Sequence, residues 1–279
     1  MLKRLLVPLD PSSFSKTAVS YACELAVDHS AEVTGLLIID LPGIHDSVGP
    51  FSPGTAHLTE RAEVRIEAEA HSALGVIESG FASACKAAGV AHRSIERQGD
   101  PAEIIAHESA YYDLLVIGLQ THFHFQTSSA PGKTLSELMG ELATPILAVP
   151  EAYSPFGSKL DAVIAFDGSP ASVRSMRQFA QNFASKNLDI VILTATERMD
   201  EADDISALAE EYLRAYGFDR IRTEWTPDEI QDAIDDRYIN EAEIIVAGMH
   251  SKRGLFSFHV GGLTDHLVSK ATIPVYIGQ

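Results

Sequence analysis

The chain has 279 residues, of which 46% are hydrophobic and 22% are charged, so it can form globular domains with cores of their own. Its formal net charge of −18 repels nucleic acid and acidic membrane surfaces, and neither is expected as a partner. No apolar run approaches the ~20 residues that cross a bilayer, and Pro8 and Asp10 end the first apolar run too early for a secretion signal. The two cysteines, Cys23 and Cys85, lie in helical patterns, which favours a reducing cytoplasm and two buried apolar side chains over a disulfide framework.

Strand-like runs alternate with helical patterns in the first half, which is typical of a parallel sheet covered by helices on both faces. The predicted strands cover residues 2–9, 32–39, 91–98, 113–118 and 145–150. The predicted helices cover residues 14–29, 58–89, 101–110 and 133–142. Residues 40–57 are rich in Gly and Pro, and we expect a loop there.

The second half repeats this scheme. The predicted strands cover residues 161–166, 189–195, 220–225, 243–248 and 274–278. The predicted helices cover residues 171–185, 201–217, 227–239 and 262–270. The polar segment 151–159 between the halves is the expected linker, so we predict domains at 1–150 and 160–279.

Two pairs of matching segments show that the chain contains an internal repeat. LLVPLDPSS at 5–13 matches VIAFDGSP at 163–170, and each is a strand that ends on Asp before a helix. GKTLSELMGELATP at 132–145 matches GGLTDHLVSKATIP at 261–274, with the same spacing from Gly to Pro. A repeat of this length indicates a duplicated domain.

The motifs VIAFDGSP, VAGMHSKRGLFSFHVGGL and IPVYIG resemble those of universal stress proteins, and ERQGDPAEII at 96–105 adds to the likeness. The resemblance covers nearly the whole chain, twice. It implies an α/β fold with a five-stranded parallel sheet in each half, in the order 3-2-1-4-5 of the adenine nucleotide alpha hydrolase-like type. The last strands of the halves are expected to pair antiparallel in an intramolecular pseudo-dimer, because an unpaired apolar edge is a liability. Further homodimerisation of whole chains is left open.

Four residues are expected to meet at a crevice between the first and fourth strands. In an open parallel sheet, ligands bind beyond the carboxyl ends of the strands, where the strand order reverses. Asp10 and Asp167 end the first strands of the two halves, and Gly118 and Gly248 end the fourth strands. The topology therefore predicts a binding crevice in each half.

The resemblance also implies contacts with a nucleoside. A carboxylate at Asp10 or Asp167 would accept hydrogen bonds from ribose hydroxyls. The alternative is that each aspartate caps the following helix or loop. Ile38 and Ala195, on the second strands, would pack against adenine, and the alternative for these two residues is plain core.

The loop after the fourth strand departs from the family pattern in the second half. The family carries Gly, two residues, Gly, nine residues, Gly and then Ser or Thr, and such a loop favours an anion at the following helix. Here Gly248, Ser251, Gly261 and Gly262 keep that spacing, with Ser251 in place of the second glycine. Gly262 stands where the hydroxyl residue belongs, and Thr264 is the candidate substitute.

The first half departs from the pattern further. Gly118 is followed by Thr121 at the place of the second glycine, and Gly132 arrives one residue late. Lys133 stands where Ser or Thr belongs, and Thr134 follows it. A lysine at this place either neutralises a phosphate or occupies the phosphate pocket itself, and the sequence leaves both open.

Two other sequence patterns resemble known binding motifs, a P-loop and a metal site, but we expect neither kind of site here. The string ending in Gly132-Lys133-Thr134 resembles a P-loop, but it lacks the leading glycine and does not follow its strand directly. The loop histidines have no further ligands at a known metal spacing, and we expect no metal site at them: His122, His124, His250 and His259.

The sequence thus predicts a cytoplasmic protein of the stress response that binds ATP or a related adenine nucleotide. Little intrinsic catalysis is expected, since no poised base or metal-carboxylate pair is visible. A second hypothesis is a degenerate scaffold of the same family. It would bind protein partners or another small molecule in the crevice between the first and fourth strands, with the loop 40–57 as a lid or partner contact. A third is a nucleotide-hydrolysing or adenylate-transferring enzyme.

Overall fold

The computed structural model describes residues 2–48, 56–128, 130, 132, 134–139, 142–152, 154, 160–184, 188–249 and 262–279. Its strands are β1 (Arg4–Leu9), β2 (Glu32–Ile39), β3 (His92–Gln98), β4 (Leu114–Gly118), β5 (Ile146–Val149), β6 (Leu160–Ala165), β7 (Asp189–Ala195), β8 (Arg220–Thr226), β9 (Ala242–Gly248) and β10 (Val275–Gly278). Its helices are α1 (Ser13–His29), α2 (Leu41–Val48), α3 (Ala56–Ala88), α4 (Pro101–Ser109), α5 (Thr134–Leu138), α6 (Pro170–Phe183), α7 (Met199–Ala215), α8 (Ile230–Arg237) and α9 (Gly262–Lys270).

These strands form one sheet in the order β3-β2-β1-β4-β5-β10-β9-β6-β7-β8. Within each half the strands are parallel, and the predicted order 3-2-1-4-5 is confirmed twice. The halves join where β5 pairs antiparallel with β10, with Leu147 opposite Tyr276. The last strands therefore pair as predicted, and the two five-stranded sheets merge into a single ten-stranded one.

The core lies in two layers, one on each face of the sheet. Side chains alternate along each strand, so Leu5 and Val7 enter one layer while Leu6 enters the other. Helices cover both faces, which explains why the residues of β4 and β5 are buried throughout. Each layer contains residues from both halves of the chain, such as Leu147 and Tyr276 in the layer that includes Leu5.

The expected loop at 40–57 was wrong in part, because α2 occupies Leu41–Val48. Asp40 caps this helix by accepting a hydrogen bond from the Gly43 N–H at 3.0 Å. Residues 49–55 of the expected lid lie outside the described residues. Two other helices differ from their predictions: α5 is limited to Thr134–Leu138, and α8 begins at Ile230 instead of residue 227.

In the described ranges, every helix is too short or too polar to span a bilayer.

Candidate functional site

The two halves begin with the same local structure after their first strand. Asp10 follows β1 and accepts a hydrogen bond from the Ser12 N–H at 2.8 Å, while Asp167 follows β6 and accepts one from the Ser169 N–H at 2.9 Å. Each of these serines is the N-cap of the next helix, α1 or α6. Both aspartates therefore bind the backbone of the turn that leads into the helix, while the serines cap the helices themselves, and a ligand contact stays open only where a carboxylate reaches solvent.

Glycines at the ends of β4 and β9 allow the strands to approach the first turns of α1 and α6. A Cβ at Gly248 would lie 2.7 Å from the backbone nitrogen of Ser172, and one at Gly118 would lie 2.6 Å from the Cβ of Phe14. Because β1 pairs with β4 and β6 pairs with β9, both halves have the strand arrangement that the predicted crevice requires.

In the second half this crevice is a cavity of about 400 Å³. Its lining consists of residues from the tips of β6, β7 and β9 and from the first turns of three helices: Ala165, Phe166, Asp167, Ser169, Ser172, Ala195, Glu229, Ile230, Gln231, Gly248, Gly262, Leu263 and Thr264. A cavity of this size is in the range of small-ligand sites. It brings together five residues that the sequence predicts for the site: Asp167, Ala195, Gly248, Gly262 and Thr264.

The polar groups of this cavity suit an oxygen-rich ligand. Asp167 is exposed, so its carboxylate reaches solvent. The helix α9 begins at Gly262, and the first N–H groups of a helix have no partner within the helix. The Thr264 hydroxyl donates a hydrogen bond to the Gly248 carbonyl at 3.3 Å, which ties the start of α9 to the end of β9. The predicted residues Ser251 and Gly261 lie outside the described residues, as do His250 and His259.

In the first half the equivalent crevice is closed by the chain itself. Asp10 is only 4% exposed, and its second carboxylate oxygen accepts a hydrogen bond from the His122 N–H at 2.6 Å. Ile38 is 1% exposed and belongs to the same core layer as Phe14 and Phe123. Neither Asp10 nor Ile38 is therefore free to contact a ligand from solvent in this conformation.

The loop after β4 is fastened over this closed crevice. Gly132 donates its N–H to the Thr121 carbonyl at 2.7 Å. His124 contacts Asp40 through its Nδ1, 2.6 Å from Oδ2, and Asp40 is buried at the start of α2. Lys133, the residue on which the two phosphate alternatives depended, lies outside the described residues.

Two threonine hydroxyls at this loop are buried and have no hydrogen-bond partner among the residues that the structure describes. These are Thr121 Oγ1 and Thr134 Oγ1, both at positions that the sequence predicts for a phosphate loop. A buried hydroxyl without a partner costs free energy unless water or a ligand oxygen reaches it. The first half thus has two buried hydroxyls at predicted site positions, whereas Asp10 and Ile38 are closed off from solvent.

The P-loop and metal patterns acquire no structural support in the described part of the chain. β4 ends at Gly118, well before Gly132, so the string does not connect a strand directly to a helix. Among the described residues, no three His, Cys, Asp or Glu side chains form a cluster that could hold a metal ion.

A family model described as the universal stress protein family matches residues 1–150, more than half of the chain. The chain belongs to the universal stress protein family. A comparison with curated proteins found no match.

Solved structures of similar fold cover almost the entire chain. The universal stress protein of Archaeoglobus fulgidus DSM 4304 is 17% identical, with a TM-score of 0.72, over 99% of this chain and 98% of that one. A functionally unknown protein of Pseudomonas aeruginosa PAO1 is 14% identical, with a TM-score of 0.57, over 99% of this chain and 92% of that one. At these identities the likeness establishes the fold.

Sequence reasoning missed several residues of the second-half cavity. Ser169 belongs to the strand-Asp-Gly-Ser start, so the motif contained the signal for it, whereas Ser172 lies beyond the motif in the first turn of α6. Glu229 and Gln231 lie at the start of α8, and the prediction of that helix from residue 227 concealed their place at its first turn.

Proposed function

We propose that this universal stress protein binds an adenine nucleotide, ATP or a related one, in the crevice of its second half. The observation that carries the proposal is the cavity of about 400 Å³ in which five sequence-predicted site residues meet. We further propose that the bound state serves a stress response in the cytoplasm. Little intrinsic catalysis is part of this proposal.

Each part of a nucleotide finds suitable chemistry in the cavity. Ala195 offers a small apolar surface at the tip of β7 for the base. The exposed carboxylate of Asp167 is an acceptor for ribose hydroxyls. The start of α9 at Gly262 offers backbone N–H groups for a phosphate.

Calorimetric titration of the full chain with ATP tests the proposal, with AMP and adenosine as comparisons. We expect saturable binding, and Ala195→Phe should weaken it at least about tenfold because the larger side chain fills the cavity. Val76→Phe is the matched control, since Val76 is 74% exposed on α3, and it should bind as the wild type does. Absence of binding at millimolar nucleotide would refute the proposal.

The closed crevice of the first half favours a second candidate role for that half, a degenerate scaffold that binds protein partners or another small molecule. The observation is that Asp10 and Ile38 are buried and that Asp40 and His124 fasten the loop above them. We therefore expect about one nucleotide per chain in the titration, and a measured ratio of two would contradict the scaffold role.

We propose domains at residues 1–150 and 160–279 that act as an intramolecular pseudo-dimer. The end of the family match at residue 150, the start of β6 at Leu160 and the β5–β10 pairing support this division. Steady ADP release above background that is lost in Asp167→Ala would instead support the enzyme hypothesis.

A further inference from the structure

The two cysteines of the chain meet on one face of the sheet, far from the nucleotide cavity. Cys23 lies on α1 and Cys85 lies near the end of α3, 62 residues later in the sequence. Their sulfur atoms are 3.7 Å apart, and both are free thiols. Both cysteines are buried, and nothing in the sequence indicates that they touch.

We propose that Cys23 and Cys85 are a redox pair that forms an intramolecular disulfide when the protein reacts with a hydroperoxide. A disulfide needs a sulfur–sulfur distance of about 2.05 Å, so the two atoms must approach by roughly 1.7 Å. Rotation of either side chain about its Cα–Cβ bond moves its sulfur on this scale. The helices on which the pair lies already pack against each other.

The surroundings give the two thiols different roles. Cys23 is 6% exposed and lines a surface cavity of about 470 Å³ together with Ser20, Glu24, Val27, Asp28, Ala84, Ala87 and Ala88. Cys85 is fully buried behind it. An oxidant that enters the cavity therefore reaches Cys23 first, and Cys85 is placed to resolve the oxidised sulfur.

The pKa values of the two thiols are shifted in opposite directions, in agreement with these two roles. The hydrogen bond with Cys85 lowers the pKa of the Cys23 thiol, which favours its thiolate. The same contact, together with burial, raises the pKa of the Cys85 thiol. Glu24 and Asp28 add negative charge to the cavity, so a neutral hydroperoxide should enter more readily than an anionic oxidant.

The chemistry balances in two steps. The Cys23 thiolate attacks one oxygen of hydrogen peroxide, the O–O bond breaks, and hydroxide leaves, which gives a sulfenic acid at Cys23. The Cys85 sulfur then attacks the Cys23 sulfur, the S–O bond breaks, and the departing hydroxide takes the Cys85 proton to form water. The hydroxide from the first step takes up the proton that the Cys23 thiol released on ionising, so the net reaction consumes two thiols and one peroxide and releases two waters.

The product would hold α3 against α1 and cross-link a long segment of the first half. A cross-link of this span restricts the unfolded chain, so we expect oxidation to raise the Tm by roughly 5 °C or more. This effect does not depend on nucleotide binding in the second half.

Treatment of the reduced, full-length protein with hydrogen peroxide tests the proposal by mass spectrometry and thiol counting after denaturation. We expect a mass loss of two hydrogen atoms, no remaining thiols and no disulfide between two chains. A dithiol reductant should reverse the change fully. Cys85→Ala should accumulate a sulfenic acid at Cys23 that a dione reagent traps. Cys23→Ala should consume peroxide at least about tenfold more slowly than the wild type.

The wild-type measurement tests formation of the disulfide even if a variant fails to fold. Two intact thiols after treatment with excess peroxide would overturn the proposal. Conversion of Cys23 to a sulfinic acid without cross-linking, or a disulfide between two chains, would overturn it as well.

Discussion

Asp10 and Asp167 occupy the same place after the first strand of their half, yet their environments give them different roles. The Asp10 carboxylate is buried and accepts hydrogen bonds from two backbone N–H groups, those of Ser12 and His122. The Asp167 carboxylate accepts a bond from the Ser169 N–H while it remains exposed beside the cavity. One aspartate binds the backbone of a loop, and the other lines the second-half cavity with its side chain exposed.

This difference predicts losses of stability of different size for the same substitution at the two positions. Asp10→Ala leaves two partly buried N–H donors, those of Ser12 and His122, without their acceptor, so it should lower the free energy of unfolding by about 1–3 kcal/mol. Asp167→Ala should cost under about 1 kcal/mol, because water can replace its bond to Ser169. Urea denaturation measures both values, and calorimetric titration should show weaker nucleotide binding for Asp167→Ala. Equal losses of stability in the two variants would contradict the different roles.

Gly248 permits a second test at this scale. Gly248→Ala would place a Cβ within 2.7–2.8 Å of the backbone of Ala171 and Ser172, so β9 and α6 must move apart. We expect a loss of about 2 kcal/mol or more and a weakened nucleotide site. Gly75→Ala is the control, because a Cβ there meets nothing within 4 Å and lies on the exposed side of α3. This control should gain about 0.5–1 kcal/mol in urea denaturation.

At the scale of elements, α8 and α9 are joined by a single carboxylate. Asp235 on α8 accepts hydrogen bonds from Lys270 and from His266 of α9, the latter at 2.9 Å. The bond from Lys270, supported by His266, holds the pKa of Asp235 below its ordinary value. Both helices supply residues to the second-half cavity, so this contact helps to fix the cavity wall.

The lowered pKa of Asp235 sets the pH range over which this contact stabilises the protein. Its contribution is present above the unfolded pKa, near 4, and is lost as the pH falls through the lower folded value. Asp235→Asn should therefore cost about 1 kcal/mol at pH 7, and the difference from wild type should shrink as the pH falls below about 4. Urea denaturation across that range measures it, with Asp236→Asn on the exposed side of α8 as the control. A cost that is constant down to pH 2 would be inconsistent with this account.

The sequence predicted the bounds of an element well where the pattern of buried apolar residues alone determines them. The bounds of β2, β7 and α9 agree with their predictions, because polar or turn-forming residues flank continuous apolar or periodic runs there. The helix α2 was missed because Pro42 and Gly43 indicate a loop, although Asp40 is a regular N-cap. The topology rule identified the strand tips of both crevices, which is why five predicted residues line the second one.

The closure of the first crevice could not be read from the sequence. It depends on contacts between residues far apart in the chain, such as Asp10 with His122 and Asp40 with His124. The approach of Cys23 to Cys85 has the same origin, since it follows from how α1 packs on α3. Motif spacing gives the position of a side chain along an element, whereas these contacts depend on the path of a loop or on helix packing.

At the scale of the whole molecule, the continuous sheet and the shared core layers couple the two halves. The junction strands β5 and β10 are buried throughout, and both core layers extend across them. Partial unfolding of one half would expose the apolar edge of the other.

We therefore expect the chain to unfold in a single cooperative transition. Trp225 is the one tryptophan and reports on the second half, while the thiols of Cys23 and Cys85 report on the first. In urea, tryptophan fluorescence and thiol accessibility should give the same midpoint. Leu147→Ala, at the junction, should lower both midpoints together and cost about 2–4 kcal/mol. Two separate midpoints in the wild type would show that the halves unfold independently.

The antiparallel joint between β5 and β10 also fixes where the two crevices face. All strands of one half run against those of the other, so their carboxyl tips emerge at opposite ends of the sheet. A nucleotide seated at one end cannot touch a partner docked at the other, and no single ligand can bridge both. Any coupling between the two ends would have to cross the junction of β5 and β10 and the core layers on either side of it.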